Sequence, residues 1–166
     1  MERREWEELF QRYGDDVFRL ALSWLGNRQD AEDVCQTVFL KLADANVRLY
    51  PGKEKAWLLK CTANACKNQL RSFWRRNTGE LSEELPFRDG RDRTLWDAVC
   101  ALPPRYRAVI HLYYYEGYDQ REIASILGIS RTAVQTRMSR ARAMLKKELN
   151  DDEGAISNYD ESDGIE

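Results

Sequence analysis

Six side chains between residues 131 and 140 have the types and spacing needed to bind nucleic acid. Arg binds phosphates and guanine edges, Gln binds adenine edges, and Ser and Thr bind either bases or phosphates. The surrounding periodicity predicts a helix, so all six would lie on one side of an element that fits the major groove. The six are Arg131, Thr132, Gln135, Thr136, Ser139 and Arg140.

The helix that carries these side chains is predicted to be the second helix of a helix-turn-helix. A short helical pattern at 119–127 ends at Gly128, which suits a left-handed C-cap, and Ser130 suits the N-cap of a helix over 131–149. The alternative is a plain helical hairpin with a solvated basic face. An apolar stripe at four-three-four spacing is expected to be buried, and it comprises Val134, Met138, Ala141 and Leu145.

A second basic helix is predicted over residues 55–76, which contain no acid. Its cations suit phosphates and its Asn side chains suit base edges, while Trp57, Phe73 and Trp74 suit unstacked bases. The alternative is a solvated charged face with core aromatics. The polar face and the basic end comprise Lys60, Asn64, Lys67, Asn68, Arg71, Arg75 and Arg76, and the apolar face comprises Leu59, Ala63, Cys66, Leu70 and Phe73.

The elements around these two helices predict an all-α fold, because no long strand pattern is present. Asp30 is expected to cap a helix to about Ala43, with Asp33 completing a capping box, and Pro104 suits a first helical turn. The predicted helices are 6–14, 15–25, 30–43, 55–76, 95–101, 104–116, 119–127 and 131–149.

Composition along the chain predicts two small helical domains joined by a flexible linker. Residues 77–94, with Gly79, Pro86 and Gly90, read as the linker between domains at 1–76 and 95–149. The segment 150–166 has seven acids and no base, and without it the chain has 26 bases and 21 acids, a net charge of +5. This segment is expected to be disordered, either solubilising the chain or competing with DNA for the basic helix.

Several function classes are disfavoured by the sequence. The best candidates for metal ligands are the acids Asp30, Glu32 and Asp33, but adjacent residues of a helix point in different directions. His111 lies alone in an apolar pattern. No cofactor, metal or catalytic residue is therefore predicted, and the chain is not expected to be an enzyme. The four cysteines form no zinc-type pair, and no apolar run or leader-like segment is present, so a cytoplasmic protein with free thiols is expected.

In this order and spacing, four motifs make the chain resemble the extracytoplasmic-function (group IV) sigma factors. They are Asp30 to Phe39; Trp57-Leu58 with Ala63 to Asn68; Leu102 to Arg107; and Glu122 to Ala124 with Arg137 to Arg142. The resemblance covers residues 6–76 and 95–149. It implies a bacterial transcription initiation factor that binds RNA polymerase core, recognises the −10 and −35 promoter elements and promotes DNA opening.

The resemblance also implies roles for the predicted helices. Helix 30–42 would bind the clamp coiled coil of the polymerase β′ subunit through Glu32, Asp33 and Gln36, and the β subunit is a further expected partner. Helix 55–76 and the loop 44–54 would meet the −10 element, with a flipped base held in the loop. Residues 131–140 would read the −35 element, although Ala133 and Gln135 depart from the usual family pattern.

Three alternatives bear on this interpretation. A stand-alone helix-turn-helix regulator would bind duplex DNA without polymerase, but it would need neither of the helices at 30–42 and 55–76. An enzyme is the second alternative, and it is disfavoured because no catalytic or metal-binding residue is predicted. The third is binding by an anti-sigma factor, which is compatible with a sigma role. The 18-residue linker spans at most ~60 Å, or about 17 base pairs, which fits a reader of two separated elements.

Overall fold

The computed structural model describes residues 1–44, 47–76 and 93–151, and within them the chain forms seven α-helices and no β-strand. The all-α prediction is confirmed. The helices are α1 (Arg3–Leu25), α2 (Arg28–Asp44), α3 (Glu54–Arg76), α4 (Arg93–Ala101), α5 (Pro104–Ile110), α6 (Gln120–Leu127) and α7 (Arg131–Asp151), with a π-helical turn at His111–Tyr115 after α5.

The N-terminal segment is one helix, and the prediction of two helices divided at Gly14 was wrong. Gly14 keeps helical geometry inside α1, whose buried face packs on both α2 and α3. A glycine costs an isolated helix roughly 1 kcal/mol, and packing along this face outweighs that cost. The helix ends instead at Gly26, which has φ 78° and donates its N–H to the carbonyl of Leu22.

Helix α2 begins earlier than its sequence pattern suggested. The side chain of Asn27 accepts from the backbone N–H of Asp30 at 2.9 Å and donates to the Asp30 carboxylate at 2.6 Å. Asp30 therefore lies inside the first turn, and the predicted capping box of Asp30 with Asp33 was wrong. Asn27 was not predicted as the cap, although Asn is as good an N-cap as Asp.

The predicted helix over 104–116 is also interrupted. It is α-helical only to Ile110, and the π-helical turn then brings the N–H of Glu116 to the carbonyl of His111 at 3.1 Å. Such wide turns occur where one extra residue must fit into a helix. The turn ends with Glu116 almost fully buried, with its side chain 4% exposed.

One continuous core connects the two halves of the chain. Helix α1 packs on α2, α3, α5 and the π-helical turn, and α3 packs on α6. The side chains buried there come from both halves, and the largest of them include Leu20, Phe39, Leu42, Leu58, Leu112, Ile123, Leu127 and Met138. The predicted linker, apart from its last two residues, and the acidic segment after Asp151 lie outside the described residues.

Candidate nucleic-acid interface

The turn between α6 and α7 is built by local capping at Gly128 and Ser130, as the sequence predicted. Asp119 and Glu122 form a capping box at the start of α6, with hydrogen bonds of 2.8 and 2.9 Å. Gly128 ends α6 at φ 66°, a left-handed conformation that a side chain would strain. Ser130 then accepts from the N–H of Ala133 at 3.0 Å and so caps α7. These contacts fix where α7 begins and which face it presents.

Helix α7 has one buried and one exposed face. Val134, Met138 and Ala141 are fully buried, and Leu145 is half-buried, which confirms the predicted stripe. The opposite face is free of protein cover. All six side chains of the predicted reading set are exposed, namely Arg131, Thr132, Gln135, Thr136, Ser139 and Arg140.

Three arginines of α7 differ in what they contact. Arg140 lies close to the hydroxyl of Tyr106, and the pKa of that hydroxyl is lowered by Arg105 and Arg140. The Nε of Arg142 instead donates to the hydroxyl of Tyr114 at 3.0 Å. Arg137 is half-buried, and burial followed by the charge of Arg105 lowers its pKa. Arg137 is therefore partly covered, whereas Arg140 and Arg142 are both exposed and each lies beside a tyrosine hydroxyl.

Helix α3 separates its faces as predicted, except at one position. Lys60, Asn64, Asn68 and Arg71 are exposed, and the buried side includes Leu59, Ala63 and Cys66. Lys67 is half-buried, and its ammonium group donates to the carbonyl of Leu127 at the end of α6. Burial, followed by the charges of Arg137 and Arg71, lowers the pKa of Lys67. The side chains of Phe73, Trp74, Arg75 and Arg76 lie outside the described part of the chain.

An exposed aromatic side chain precedes α3. Tyr50 is 69% exposed. It begins a turn in which its carbonyl accepts from the N–H of Lys53 at 2.9 Å. Trp57 in contrast is half-buried and packs against the core, which leaves it little ring surface for a base. The 44–54 loop was predicted to hold a flipped base, but Tyr50 was not named as a candidate residue. The available signal was an aromatic residue directly before the Pro51-Gly52 turn.

Helix α2 also presents an exposed polar face. Glu32, Asp33 and Gln36 are all exposed, and Glu32 pairs with Arg28 at 2.8 Å. Leu40, one turn further along α2, is 67% exposed and had not been singled out from the sequence. The face is therefore suited to a protein partner that offers both charge and an apolar contact.

Two further observations concern metal binding and membrane crossing. Among residues 1–44, 47–76 and 93–151, no three His, Cys, Asp or Glu side chains gather as a metal site would require. Within the same residues, no helix is both long and apolar enough to cross a membrane.

Both halves of the chain match models of known protein families. The family model for Sigma-70 region 2 matches residues 9–76, and the model for Sigma-70 region 4 matches residues 92–145. The ECF RNA polymerase sigma factor SigE of Mycolicibacterium smegmatis is 30% identical over 157 residues, which cover 87% of this chain and 61% of SigE. The ECF RNA polymerase sigma factor SigM of Mycobacterium tuberculosis is 28% identical, covering 89% of this chain and 79% of SigM.

The probable RNA polymerase sigma factor RfaY of Xanthomonas campestris pv. campestris is 31% identical, covering 80% of this chain and 37% of RfaY. The chain therefore spans only part of these two relatives, 61% of SigE and 37% of RfaY. Solved structures share the fold. The sigma factor RpoE of Bartonella quintana, solved with the anti-sigma factor NepR, has a TM-score of 0.73 at 21% identity, covering 89% of this chain and 98% of RpoE. CnrH, solved with the cytosolic domain of CnrY, has a TM-score of 0.60 at 28% identity, covering 91% of each chain. This chain belongs to the extracytoplasmic-function group of the sigma-70 family.

Proposed function

We propose that this chain binds the core RNA polymerase, reads the −10 and −35 elements of a promoter and helps to open the DNA. The observation that carries the proposal is the presence of two separate exposed faces, on α3 and α7, that each combine cations with amide or hydroxyl groups. A reader of one short site needs only one such face. Polymerisation is the chemistry of the partner, and the chain itself supplies binding and positioning.

In this proposal α7 reads the −35 element. Its exposed Thr, Gln and Ser side chains are short enough to let the helix approach base edges, and the flanking arginines are placed for phosphates. The turn capped by Gly128 and Ser130 sets the angle at which the helix enters the groove. Thr136 lies in the middle of this face, so we expect Thr136→Ala to change base preference more than overall affinity.

Helix α3 and the turn before it meet the −10 element. Asn64 and Asn68 are exposed amides between exposed cations, which suits a melted strand whose bases are accessible. The ring of Tyr50 provides a stacking surface for an unstacked base, which helps to offset the few kcal/mol that unstacking costs. The exposed residues Lys60 and Arg71 hold the backbone.

The opening role is tested with Asn64→Ala on two templates. We expect the substitution to slow initiation on a duplex promoter and to have little effect on a premelted one, because a premelted template bypasses the strand separation that the amide promotes. Gln11→Ala removes an exposed amide of α1 and serves as the matched control. An equal loss of initiation on both templates would contradict a role for Asn64 in opening.

Helix α2 binds the polymerase in this proposal. Its exposed acids and Gln36 suit a basic helical surface such as the clamp coiled coil of β′. We expect Asp33→Ala to reduce retention of the chain on immobilised β′ coiled coil, with Asp15→Ala, an exposed acid of α1, as the control. Equal retention of the two variants would move the contact away from α2.

The second candidate function is a stand-alone regulator that binds duplex DNA without polymerase, which the exposed face of α7 alone would permit. In vitro transcription with purified core polymerase and a promoter library separates the two. The proposal expects polymerase-dependent initiation on a subset of promoters. Binding to duplex DNA without any association with core polymerase would support the regulator instead. RpoE was solved with the anti-sigma factor NepR, and we extend such a partner to this chain.

A further inference from the structure

A tyrosine of α5 reaches the exposed face of α7. Tyr106 is only 4% exposed, and its helix packs directly on α7. Its hydroxyl nevertheless lies at the protein surface, because two exposed arginines reach it, Arg105 from its own helix and Arg140 from α7. One buried ring therefore connects the core to a side chain of the predicted reading set.

The position of this hydroxyl is fixed by its surroundings. The ring of Tyr106 belongs to the buried core, and the guanidinium of Arg105 lies 4.8 Å from the ring centre. The Nη2 of Arg105 also donates to the hydroxyl at 3.3 Å. A close-packed ring has little rotamer freedom, so its oxygen offers Arg140 an acceptor at a defined place.

Arg140 gains order from this acceptor without being blocked. A long side chain on an exposed helix face samples many rotamers, and that freedom is lost when the side chain binds DNA. A guanidinium carries several N–H donors, so a contact with the tyrosine oxygen leaves others for a phosphate or a guanine edge. The hydroxyl can therefore hold Arg140 in the conformation in which it meets DNA.

The charges around Tyr106 favour an anion at this place. Arg105 and then Arg140 lower the pKa of the Tyr106 hydroxyl, and the charge of Arg105, after burial, lowers the pKa of Arg137 on α7. Three guanidinium groups thus lie close enough to repel one another. A DNA phosphate beside them would relieve this repulsion.

We propose that Tyr106 is a positioning residue of the −35 interface: its hydroxyl holds the guanidinium of Arg140 in place before the promoter binds. The inference rests on the proposed function for its effect on promoter binding, but the order of Arg140 can be measured in the free chain. A second tyrosine–arginine pair on α7 supplies the control. The hydroxyl of Tyr114 accepts from the Nε of Arg142 at 3.0 Å, and Arg142 is not in the reading set.

The first test measures side-chain order in the free full-length chain. Tyr106→Phe keeps the ring and removes only the hydroxyl, and Tyr114→Phe is the matched control. NMR relaxation of the arginine Nε groups reports their order, with the signals of Arg140 and Arg142 assigned by their loss in the two alanine variants. In Tyr106→Phe, the order parameter of Arg140 should fall into the flexible range, below about 0.6, while that of Arg142 stays unchanged. Tyr114→Phe should do the reverse.

The second test measures promoter affinity of the reconstituted holoenzyme, on a promoter recovered from the in vitro transcription library. Tyr106→Phe should bind about two- to tenfold more weakly, because one long side chain must then be ordered on binding. Tyr114→Phe should match the wild type. In an Arg140→Ala background, Tyr106→Phe should have no further effect, since the hydroxyl acts through that arginine.

The outcomes separate this inference from the proposed function. Unchanged order of Arg140 in Tyr106→Phe, or a Tyr106→Phe chain that is unfolded in a thermal melt at the assay temperature, would overturn the inference. So would an equal loss of affinity with and without Arg140, or a loss in Arg140→Ala with none in Tyr106→Phe. If the order of Arg140 falls as expected but Arg140→Ala binds like the wild type, or no promoter is recovered, the proposed −35 role of α7 fails while the positioning contact stands.

Discussion

Replacing Arg140 by Ala tests whether the exposed face of α7 binds DNA. Arg140 is exposed and lies near the Tyr106 hydroxyl, so its loss should change the free energy of unfolding by less than about 0.5 kcal/mol. Arg142→Ala is the matched control. It lies about 200° around the helix and carries the same charge, but its Nε donates to Tyr114 and its guanidinium lies 5.7 Å from the ring centre of Tyr113.

The magnitude depends on what Arg140 contacts. A phosphate contact would lower the slope of log K against log salt by about 1 for all sequences. A bidentate contact with guanine would cost about 1–3 kcal/mol, and only on promoters with that base. Arg142→Ala should leave the slope unchanged and lower the free energy of unfolding by about 0.5–1 kcal/mol through the lost ring contacts.

The assay is a salt titration of promoter binding by the holoenzyme, using −35 variants and both substitutions, with thermal unfolding measured in parallel. Equal salt slopes and equal affinities for wild type and Arg140→Ala would refute the assignment of this face. A loss in Arg142→Ala as large as that in Arg140→Ala would show that net charge, rather than the position of the guanidinium, governs binding.

Three further predictions concern stability and reactivity. Gly128→Ala should lower the free energy of unfolding by about 1–2 kcal/mol in a thermal melt, because an alanine at φ 66° is strained; an unchanged melting temperature would contradict this. His111, followed by Lys55, lowers the pKa of Glu116 from 4.5 to about 2 against the opposing effect of burial. Its stabilising contribution should therefore be full above pH 4.5 and be lost as pH falls towards 2, and Glu116→Gln should reduce that loss in acid titrations of stability. Burial raises the pKa of Cys35 to about 12 and also raises that of Cys66, so both thiols should resist iodoacetamide at neutral pH until the chain unfolds; rapid labelling of the native chain would refute this.

Short-range patterns in the sequence were sufficient for α7 and its turn. The spacing of Val134, Met138 and Ala141 defines a buried stripe whatever lies beneath it, and Gly128 and Ser130 act on neighbouring backbone groups. Local sequence patterns gave a wrong prediction at Gly14, where packing of α1 outweighs the cost of glycine. The predicted start of α2 was also wrong, because two candidates for the cap lie three residues apart, Asn27 and Asp30, and the second was chosen.

The sequence by itself determined the helical character of the chain, the two polar faces and the family, because helix periodicity, caps and motifs depend on residues within a few positions of one another. Only the tertiary structure decided how those faces are positioned relative to each other. Lys55 and Glu116 are 61 residues apart, and Lys67 and Leu127 are 60 apart. No periodic pattern connects such pairs, since their contact depends on how packed helices orient two halves of the chain. The structure therefore shows that one cation of the predicted DNA face lies in a contact between the halves.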